Sequence, residues 1–257
     1  MKISVVTPSY NQAGFIERTI KSVINQDYPD IEYIIMDGGS TDGTVEILKK
    51  YSDRISWKSE KDNGQSDGIN KGLKMATGDI VAYLNSDDTY EPGALKKVAE
   101  FFKKNPNKKW AYGKCKIINE NDVEIRKPIT WYKNFLLKKY SYPKLLRENF
   151  VSQPATFWKR ELLSEIGYLS VDEHFCMDYE YWLRIGQKYP AGVIPEYLAN
   201  FRYYSNSKSG SVNKKQFRDE LQLAKRFGNG HCFSLLAHKI NYYKITGIYK
   251  IMSMFRR

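Results

Sequence analysis

The run Ile80-Val81-Ala82-Tyr83-Leu84 passes directly into Asn85-Ser86-Asp87-Asp88. An apolar run this short reads as a strand buried on both faces of a sheet. The acidic cluster then sits at the strand's carboxyl end, where an open α/β sheet holds its ligand. Carboxylates at such a rim suit a hard divalent cation, and cations of that kind commonly partner phosphate groups.

The same pattern recurs upstream. Ile3–Thr7 is a first buried strand, and Gly14–Gln26 carries Ile16, Ile20, Val23 and Ile24 at helical spacing. Ile31–Met36 reads as a second strand, Thr44–Tyr51 as a helix carrying Val45, Leu48 and Tyr51, and Ile55–Ser59 as a short third strand. Ser66–Ala76 is a third helix, with Gly78 as its terminator. This alternation predicts an α/β fold with a Rossmann-like, mostly parallel sheet, helices on both faces and right-handed crossovers. The exits Thr7–Asn11, Asp37–Gly39, Glu60–Asp62 and Asn85–Asp88 then line one polar rim.

The second half changes character. Trp110–Asn119 reads as a strand and Asn119–Asp122 as a turn, while Ile129–Phe150 is basic and aromatic without a clear period. Pro154–Trp158 reads as a strand, Arg160–Ile166 as a short helix ending at Gly167, and Tyr179–Tyr189 as a longer helix with Asp178 as its candidate cap. Beyond Ser205–Ser211, rich in Ser, Asn and Gly, a basic helical segment runs to Arg257.

A chain of 257 residues accommodates one substantial α/β core plus an appendage. Its net charge of +12 implies an acidic partner: nucleic acid, anionic lipid or a phosphorylated substrate. Cys115, Cys176 and Cys232 are odd in number and widely separated, so they read as reduced packing residues of a cytosolic protein. The apolar stretch after Met1 is too short for a signal peptide, and no run is long enough to span a bilayer. The expected location is the cytoplasm, including the inner face of the membrane.

There is no Walker loop, and no GxGxxG follows the first strand, which disfavours kinase-like and dinucleotide-dependent readings. Instead the first strand ends in Thr7-Pro8-Ser9-Tyr10-Asn11 and the second in Asp37-Gly38-Gly39-Ser40-Thr41-Asp42-Gly43. With Asn85-Ser86-Asp87-Asp88, these segments resemble the nucleotide-sugar half of the family 2 inverting glycosyltransferases, which have the GT-A fold. The resemblance continues through Gly64-Gln65-Ser66-Asp67-Gly68, Gln153-Pro154-Ala155-Thr156-Phe157-Trp158 and Met177-Asp178-Tyr179-Glu180-Tyr181-Trp182-Leu183-Arg184. It covers roughly the first four fifths of the chain in order. It implies a GT-A domain over residues 1–210, with a nucleotide-sugar half (1–105) and an acceptor half (106–210), followed by a basic helical extension (211–257).

For Asp37 the resemblance implies a contact to the nucleotide base, and a carboxylate can accept the imide N–H of uracil. The alternative is a cap on the Gly38-Gly39 bend. Thr7, Pro8 and Tyr10 either shape the same pocket, with Tyr10 flanking the base, or pack. Gln65 and Asp67 either reach the sugar or ribose, or cap a helix. Asn85 and Ser86 are assigned to the donor, since Asn hydrogen-bonds a ribose hydroxyl. Asp87 is the expected ligand for Mg2+ or Mn2+, which offsets charge on a departing diphosphate. The family signature has acids at both ends of an acid-x-acid motif; here the first position is Asn85, which supplies no charge.

Asp178 is the expected general base, because inversion by direct displacement needs a carboxylate on the face opposite the leaving group. Its alternative is an ordinary helix cap. The residue before it, often acidic in the family, is Met177 here. Asp88, Glu180, Trp182 and Arg184 are assigned to acceptor or supporting contacts. Arg202 and the Ser205–Ser211 loop either reach the diphosphate from the far side or form a solvated linker. His174, His231 and His238 show no metal-binding spacing.

The function expected from this resemblance is transfer of a sugar from a nucleotide-sugar, most simply a UDP-sugar, to a glycan or lipid-linked glycan acceptor. No nucleic-acid partner is expected. Two rivals remain: a sugar-phosphate nucleotidyltransferase, which normally opens with a glycine-rich basic loop that Thr7–Asn11 lacks, and a non-catalytic nucleotide-sugar or lipid-binding module. The segment from His238 to Arg257 mixes bases with aromatic and aliphatic residues, which suits either an anionic membrane surface or packing on the domain.

Overall fold

The computed structural model describes residues 1–205, 207 and 214–254. In the amino-terminal half, β1 (Ile3–Ser9) pairs in parallel with β2 (Ile31–Asp37) on one side and β4 (Ile80–Tyr83) on the other, so Ile3 stands opposite both Ile31 and Ile80. β3 (Ser56–Ser59) extends the sheet in parallel beyond β2. The connections are α1 (Ile16–Ile24), α2 (Thr44–Lys49) and α3 (Gln65–Met75), each close to its expected span.

β1, β2 and β4 are mostly apolar because both sheet faces are covered there, and successive side chains serve opposite cores, whereas β3 at the edge reads Ser-Trp-Lys-Ser and stays partly exposed. Val6, Ile34, Met36, Val81 and Tyr83 join one core with Ile69 and Leu73 of α3. Ile3, Val5, Tyr33, Ile35, Ile80 and Ala82 join the other with Ile16, Ile20 and Val23 of α1. α3 approaches β1 closely at Gly72, where a Cβ would overlap the Val6 side chain.

The complete sheet has eight strands in the order β3-β2-β1-β4-β7-β6-β8-β5 and is mixed. β6 (Trp110–Ile118) and β8 (Gly192–Arg202) pair in parallel. β7 (Thr156–Lys159) is wedged antiparallel between β4 and β6, and the two-residue β5 (Thr89–Tyr90) runs antiparallel to β8 at the edge. β5, β8 and the helix α4 (Ala94–Lys104) are additions to the elements read from sequence. The basic aromatic region resolves into α5 (Lys127–Leu137) and α6 (Tyr142–Arg147), followed by a 3-10 turn at Gln153–Ala155.

After the short α7 (Leu162–Glu165) comes α8 (Met177–Lys188), whose cap is Cys176; Asp178 lies inside the first turn. The helix starts before Asp178 because Met177 is drawn into the core, its sulfur accepting a hydrogen bond from the Ser66 hydroxyl at 2.8 Å. The basic extension comprises α9 (Lys214–Phe227) and α10 (Cys232–Met254), which pack on α8 and α6, and Leu223 enters the main core. Of the expected Ser205–Ser211 loop, Asn206 and residues 208–211 lie outside the described residues, as do residues 255–257 of the expected membrane segment. Cys115 and Cys176 are buried, as packing residues should be, whereas Cys232 is exposed.

Candidate active site

The carboxyl ends of β1 and β2 are stitched together by Asn11, whose N–H donates to the Ser40 hydroxyl at 2.7 Å while its side-chain oxygen accepts from the Thr41 N–H at 2.9 Å. Asp37, buried at the end of β2, accepts from the Gly39 and Ser40 N–H groups at 3.1 and 2.9 Å, and from the Ser40 and Ser59 hydroxyls at 2.5 and 2.7 Å. It therefore does cap the Gly38-Gly39 bend. Three of these bonds fall on Oδ2, so Oδ1 retains room for a further donor. A Cβ at Gly38 would come within 2.9 Å of Asp62 Oδ2, and one at Gly68 within 3.1 Å of the same atom. Asp62 is thus a rim carboxylate admitted by two glycines, a role that residue type alone did not single out.

Tyr10 stands 63% exposed at this rim, with its ring available to a flat ligand. Thr7 does not line the pocket: it is fully buried, and its hydroxyl shares a hydrogen bond of 3.1 Å with Tyr33. Pro8 is also buried, lying under the first turn of α3 next to Gly68. In that turn Gln65 donates to Asn85 Oδ1 at 2.7 Å, joining the third and fourth exits. Asp67 accepts from the Asn63 N–H at 3.0 Å and pairs with Lys71 at 3.1 Å, contacts that lock the preceding loop and hold its carboxyl below the ordinary range.

The loop after β4 is fastened from three directions. Thr19 of α1 donates to the carbonyls of Ser86 and Asp88, both at 2.8 Å. Asn85 donates to Gln153 Oε1 at 3.2 Å, and Gln153 in turn donates to the Tyr83 carbonyl at 2.6 Å. From β8, the Arg202 N–H reaches Asp88 Oδ1 at 2.8 Å, and its guanidinium reaches the Asp87 carbonyl at 2.7 Å. These bonds leave the Asp87 carboxylate half-buried at the rim, accepting from the Tyr204 hydroxyl at 3.1 Å. Burial pushes the Asp87 carboxyl above its ordinary value, opposed by that hydroxyl and by the charge of Arg202.

Asp88 and Arg202 are placed as supporting contacts, the former within its expected alternatives. Asp88 is fully buried and committed to the Arg202 backbone and Asn85, and burial followed by the charge of Asp87 pushes its carboxyl well up. Arg202 is 1% exposed. Its guanidinium is spent on the Asp87 and Asn119 carbonyls and on Asp122 Oδ1, the last two at 2.6 and 2.5 Å, so it does not extend toward a diphosphate. It acts as a bolt that sets the backbone at Asp87.

The first turn of α8 meets the first turn of α3 through the Met177–Ser66 contact, and Asn70 of α3 exchanges hydrogen bonds with the Leu169 backbone at 2.8 and 3.1 Å. Asp178 is thereby brought toward the end of β4: Tyr83, the last residue of that strand, feels the charge of both Asp178 and Asp88. The acidic neighbour of Asp178 is Glu220 of α9. Burial, then the charge of Asp178, pushes the Glu220 carboxyl up to about 7, while Lys133 of α5 and hydrogen bonds from Asn149 and Gln216 pull the other way. α9 is held there by its Gln216 carbonyl, which accepts from the Cys176 thiol at 3.5 Å. No motif pointed to Glu220; an Asp219-Glu220 pair in an amphipathic basic helix carries no signal of its own.

Glu180, Trp182 and Arg184 turn out to hold α8 in place. Glu180 is 4% exposed and pairs with Arg184 at 2.8 Å and Arg226 at 3.5 Å. Arg184 donates to the carbonyls of Ile166 and Tyr168 at 2.7 and 2.6 Å, and Trp182 is buried and stacked on Trp110 with centroids 5.6 Å apart. Their side chains are consumed inside the domain, which removes them from the acceptor.

Among the described residues no group of three His, Cys, Asp or Glu could enclose a metal ion. Asp87 offers one rim carboxylate, whereas Asp88 is tied into the fold. A magnesium-type site built from one carboxylate, water and the substrate's own phosphates fits that donor set.

Residues 4–167 match the family model described as "Glycosyl transferase family 2". A relative from Campylobacter jejuni, named GalNAc(5)-diNAcBac-PP-undecaprenol beta-1,3-glucosyltransferase, is 33% identical over 187 residues, spanning 61% of this chain and 58% of that one. The chain spans between 33% and 75% of the length of the curated relatives it matches. In three dimensions it resembles S. aureus TarS 1-349 in complex with UDP-GlcNAc, with a TM-score of 0.70 and 19% identity over 95% of this chain and 72% of that one. It also resembles the mannosyltransferase PcManGT from Pyrobaculum calidifontis in complex with GDP-Man and Mn2+, with a TM-score of 0.65 and 18% identity over 98% and 80% of the two chains. At those identities the structural likeness speaks for the fold.

Proposed function

The chain belongs to glycosyl transferase family 2, and we propose that it moves a sugar from a nucleoside diphosphate sugar, most simply a UDP-sugar, to an acceptor hydroxyl with inversion at the anomeric carbon. The observation that carries this reading is that one turn of α3 joins both halves of the chain: Gln65 donates at 2.7 Å to Asn85, two residues before Asp87, and Ser66 donates at 2.8 Å to Met177, the neighbour of Asp178. In-line displacement needs that separation of origin: one group at the leaving diphosphate, another at the attacking hydroxyl.

Asp37 accepts from the base, with Tyr10 flanking it, and Gln65 with Asn85 faces the ribose or sugar. A divalent cation, Mg2+ or Mn2+, held by Asp87 and the donor supplies neutralising charge to the diphosphate when bound. Asp178 takes the proton as the acceptor oxygen bonds to the anomeric carbon and the bond to the diphosphate breaks. Glu220 stands beside this base and offers the proton a second carboxyl. The printed name of the Campylobacter relative supports a glycan on a polyprenyl diphosphate as acceptor. No helix of the described residues is long and apolar enough to cross a membrane, so such an acceptor would be met at the bilayer surface, with α10 as one contact.

The test is UDP release from UDP-sugars with Mn2+ over a set of polyprenyl diphosphate-linked glycans. Acceptor-dependent release is expected from the parent protein. Asp178→Asn should lower it by about 10²–10⁴-fold, the usual contribution of a general base, with UDP affinity unchanged. Full turnover by Asp178→Asn would return the residue to a structural role in the helix turn.

A further inference from the structure

Between Lys127 and Arg147 the chain contains six basic residues (Lys127, Lys133, Lys138, Lys139, Lys144 and Arg147) and no Asp or Glu. Within this stretch α5 leaves Ile129, Trp131, Tyr132 and Phe135 exposed by 43%, 69%, 45% and 56%. Trp131 and Phe135, one turn apart, stack on each other with centroids 6.1 Å apart, and Lys138 lies over the Phe135 ring at 5.6 Å. The other side of the helix is fixed: Thr130, Leu136 and Leu137 are buried against the domain.

At 100° per residue, Lys133 falls on the side of the helix opposite both Trp131 and Phe135. Its charge acts on Glu220, so that side faces the carboxyl cluster that includes Asp178. α5 therefore separates the candidate acceptor site from the exposed aromatic face by about one helix diameter, ~10 Å.

We propose that the exposed face of α5 is a docking surface for an anionic lipid bilayer. The choice of occupant follows from charge and side-chain type. Stacked aromatics flanked by bases complement an apolar layer beneath a negative headgroup plane, and the excess of bases over the one neighbouring acid, Glu148, which accepts from the Tyr132 hydroxyl at 2.9 Å, makes the face repel a second copy of itself. The inference rests on the lipid-linked acceptor reading above and extends it: besides α10, α5 holds the protein down and sets the site close to the headgroups.

The experiment uses the full chain and vesicles of neutral lipid with and without anionic lipid. Trp131 is the exposed tryptophan; Trp110, Trp158 and Trp182 are buried and Trp57 is partly so. Its fluorescence should shift to the blue and be quenched by brominated acyl chains, more with anionic lipid and less at high salt. Trp131→Ser with Phe135→Ser should weaken vesicle binding by about tenfold or more, the factor that 1.4 kcal/mol represents. UDP release with a short water-soluble acceptor should stay at the parental rate. Lys127→Glu with Lys139→Glu, two exposed bases away from the Trp131–Phe135 stack, should weaken binding to anionic vesicles only.

Parental binding by both double variants, or no quenching of Trp131 while the protein is bound, would overturn the proposal. So would sedimentation showing a dimer that Trp131→Ser dissolves, or loss of turnover on the soluble acceptor, which would make the face a self-association or glycan platform. If the parent binds vesicles through α5 but no UDP-sugar is turned over, the surface stands and the enzymatic reading falls.

Discussion

Replacing Glu220 with Gln should stabilise the protein, and only at neutral to alkaline pH. Glu220 has its carboxyl raised from 4.5 to about 7, first by burial and then by the charge of Asp178. The folded protein thus binds this proton more tightly than the unfolded chain does. The carboxyl costs nothing below pH 4.5, its cost grows as pH rises to about 7, and above that the full penalty of a buried charge is present. Each pH unit between those values is worth about 1.4 kcal/mol, an upper bound near 3.5 kcal/mol, and residual solvent contact reduces it to about 2. Gln keeps the shape and an oxygen to accept from Asn149 or Gln216 but loses the charge. Urea unfolding of parent and variant at pH 5 and pH 8.5 reads the difference directly, because carboxyls common to both largely cancel. The expected gain is about 2 kcal/mol at pH 8.5 and close to zero at pH 5. A variant less stable than the parent at pH 8.5, or a gain independent of pH, would refute the placement of Glu220 beside Asp178. The same substitution should reshape the acidic limb of the transfer-rate profile while leaving UDP affinity alone.

Asp87→Ala should abolish Mn2+-dependent UDP binding in calorimetry with the melting temperature nearly unchanged, because a half-buried rim carboxylate carries little of the core; parental binding would put the cation elsewhere. Arg202→Met should cost roughly 1–3 kcal/mol in denaturant unfolding, because the Asp87 and Asn119 carbonyls lose a donor, while half-exposed Asp122 keeps its bond from Arg18. Gly72→Ala should destabilise by about 1–3 kcal/mol through overlap with Val6, and a neutral result would mean that α3 lies farther from β1.

The amino-terminal half was legible without coordinates, because the signals that define it are local. A five-residue apolar run can be satisfied only by burial on both faces, and an amphipathic 3.6-residue period only by a helix against that sheet. From these two periodicities the mostly parallel sheet and the polar rim at Asp37 and Asn85–Asp88 follow. The rest was set by contacts distant in sequence. β7 enters antiparallel between β4 and β6, about 75 and 45 residues from partners with which it shares no local signal, and strand propensity depends on such neighbours. The motif residues divided in the same way. Asp87 and Asp88 are chemically identical and adjacent, yet one carboxylate faces the rim while the other closes on the Arg202 backbone. Arg202, Glu180 and Arg184 carry the charges expected of ligand-binding residues but spend them on partners inside the fold. Glu220 had no motif at all and became notable only when α9 folded back across the start of α8. Residue type determines what a side chain can bind; whether the fold has already used that capacity is decided by which distant backbone and side-chain groups arrive within hydrogen-bond reach.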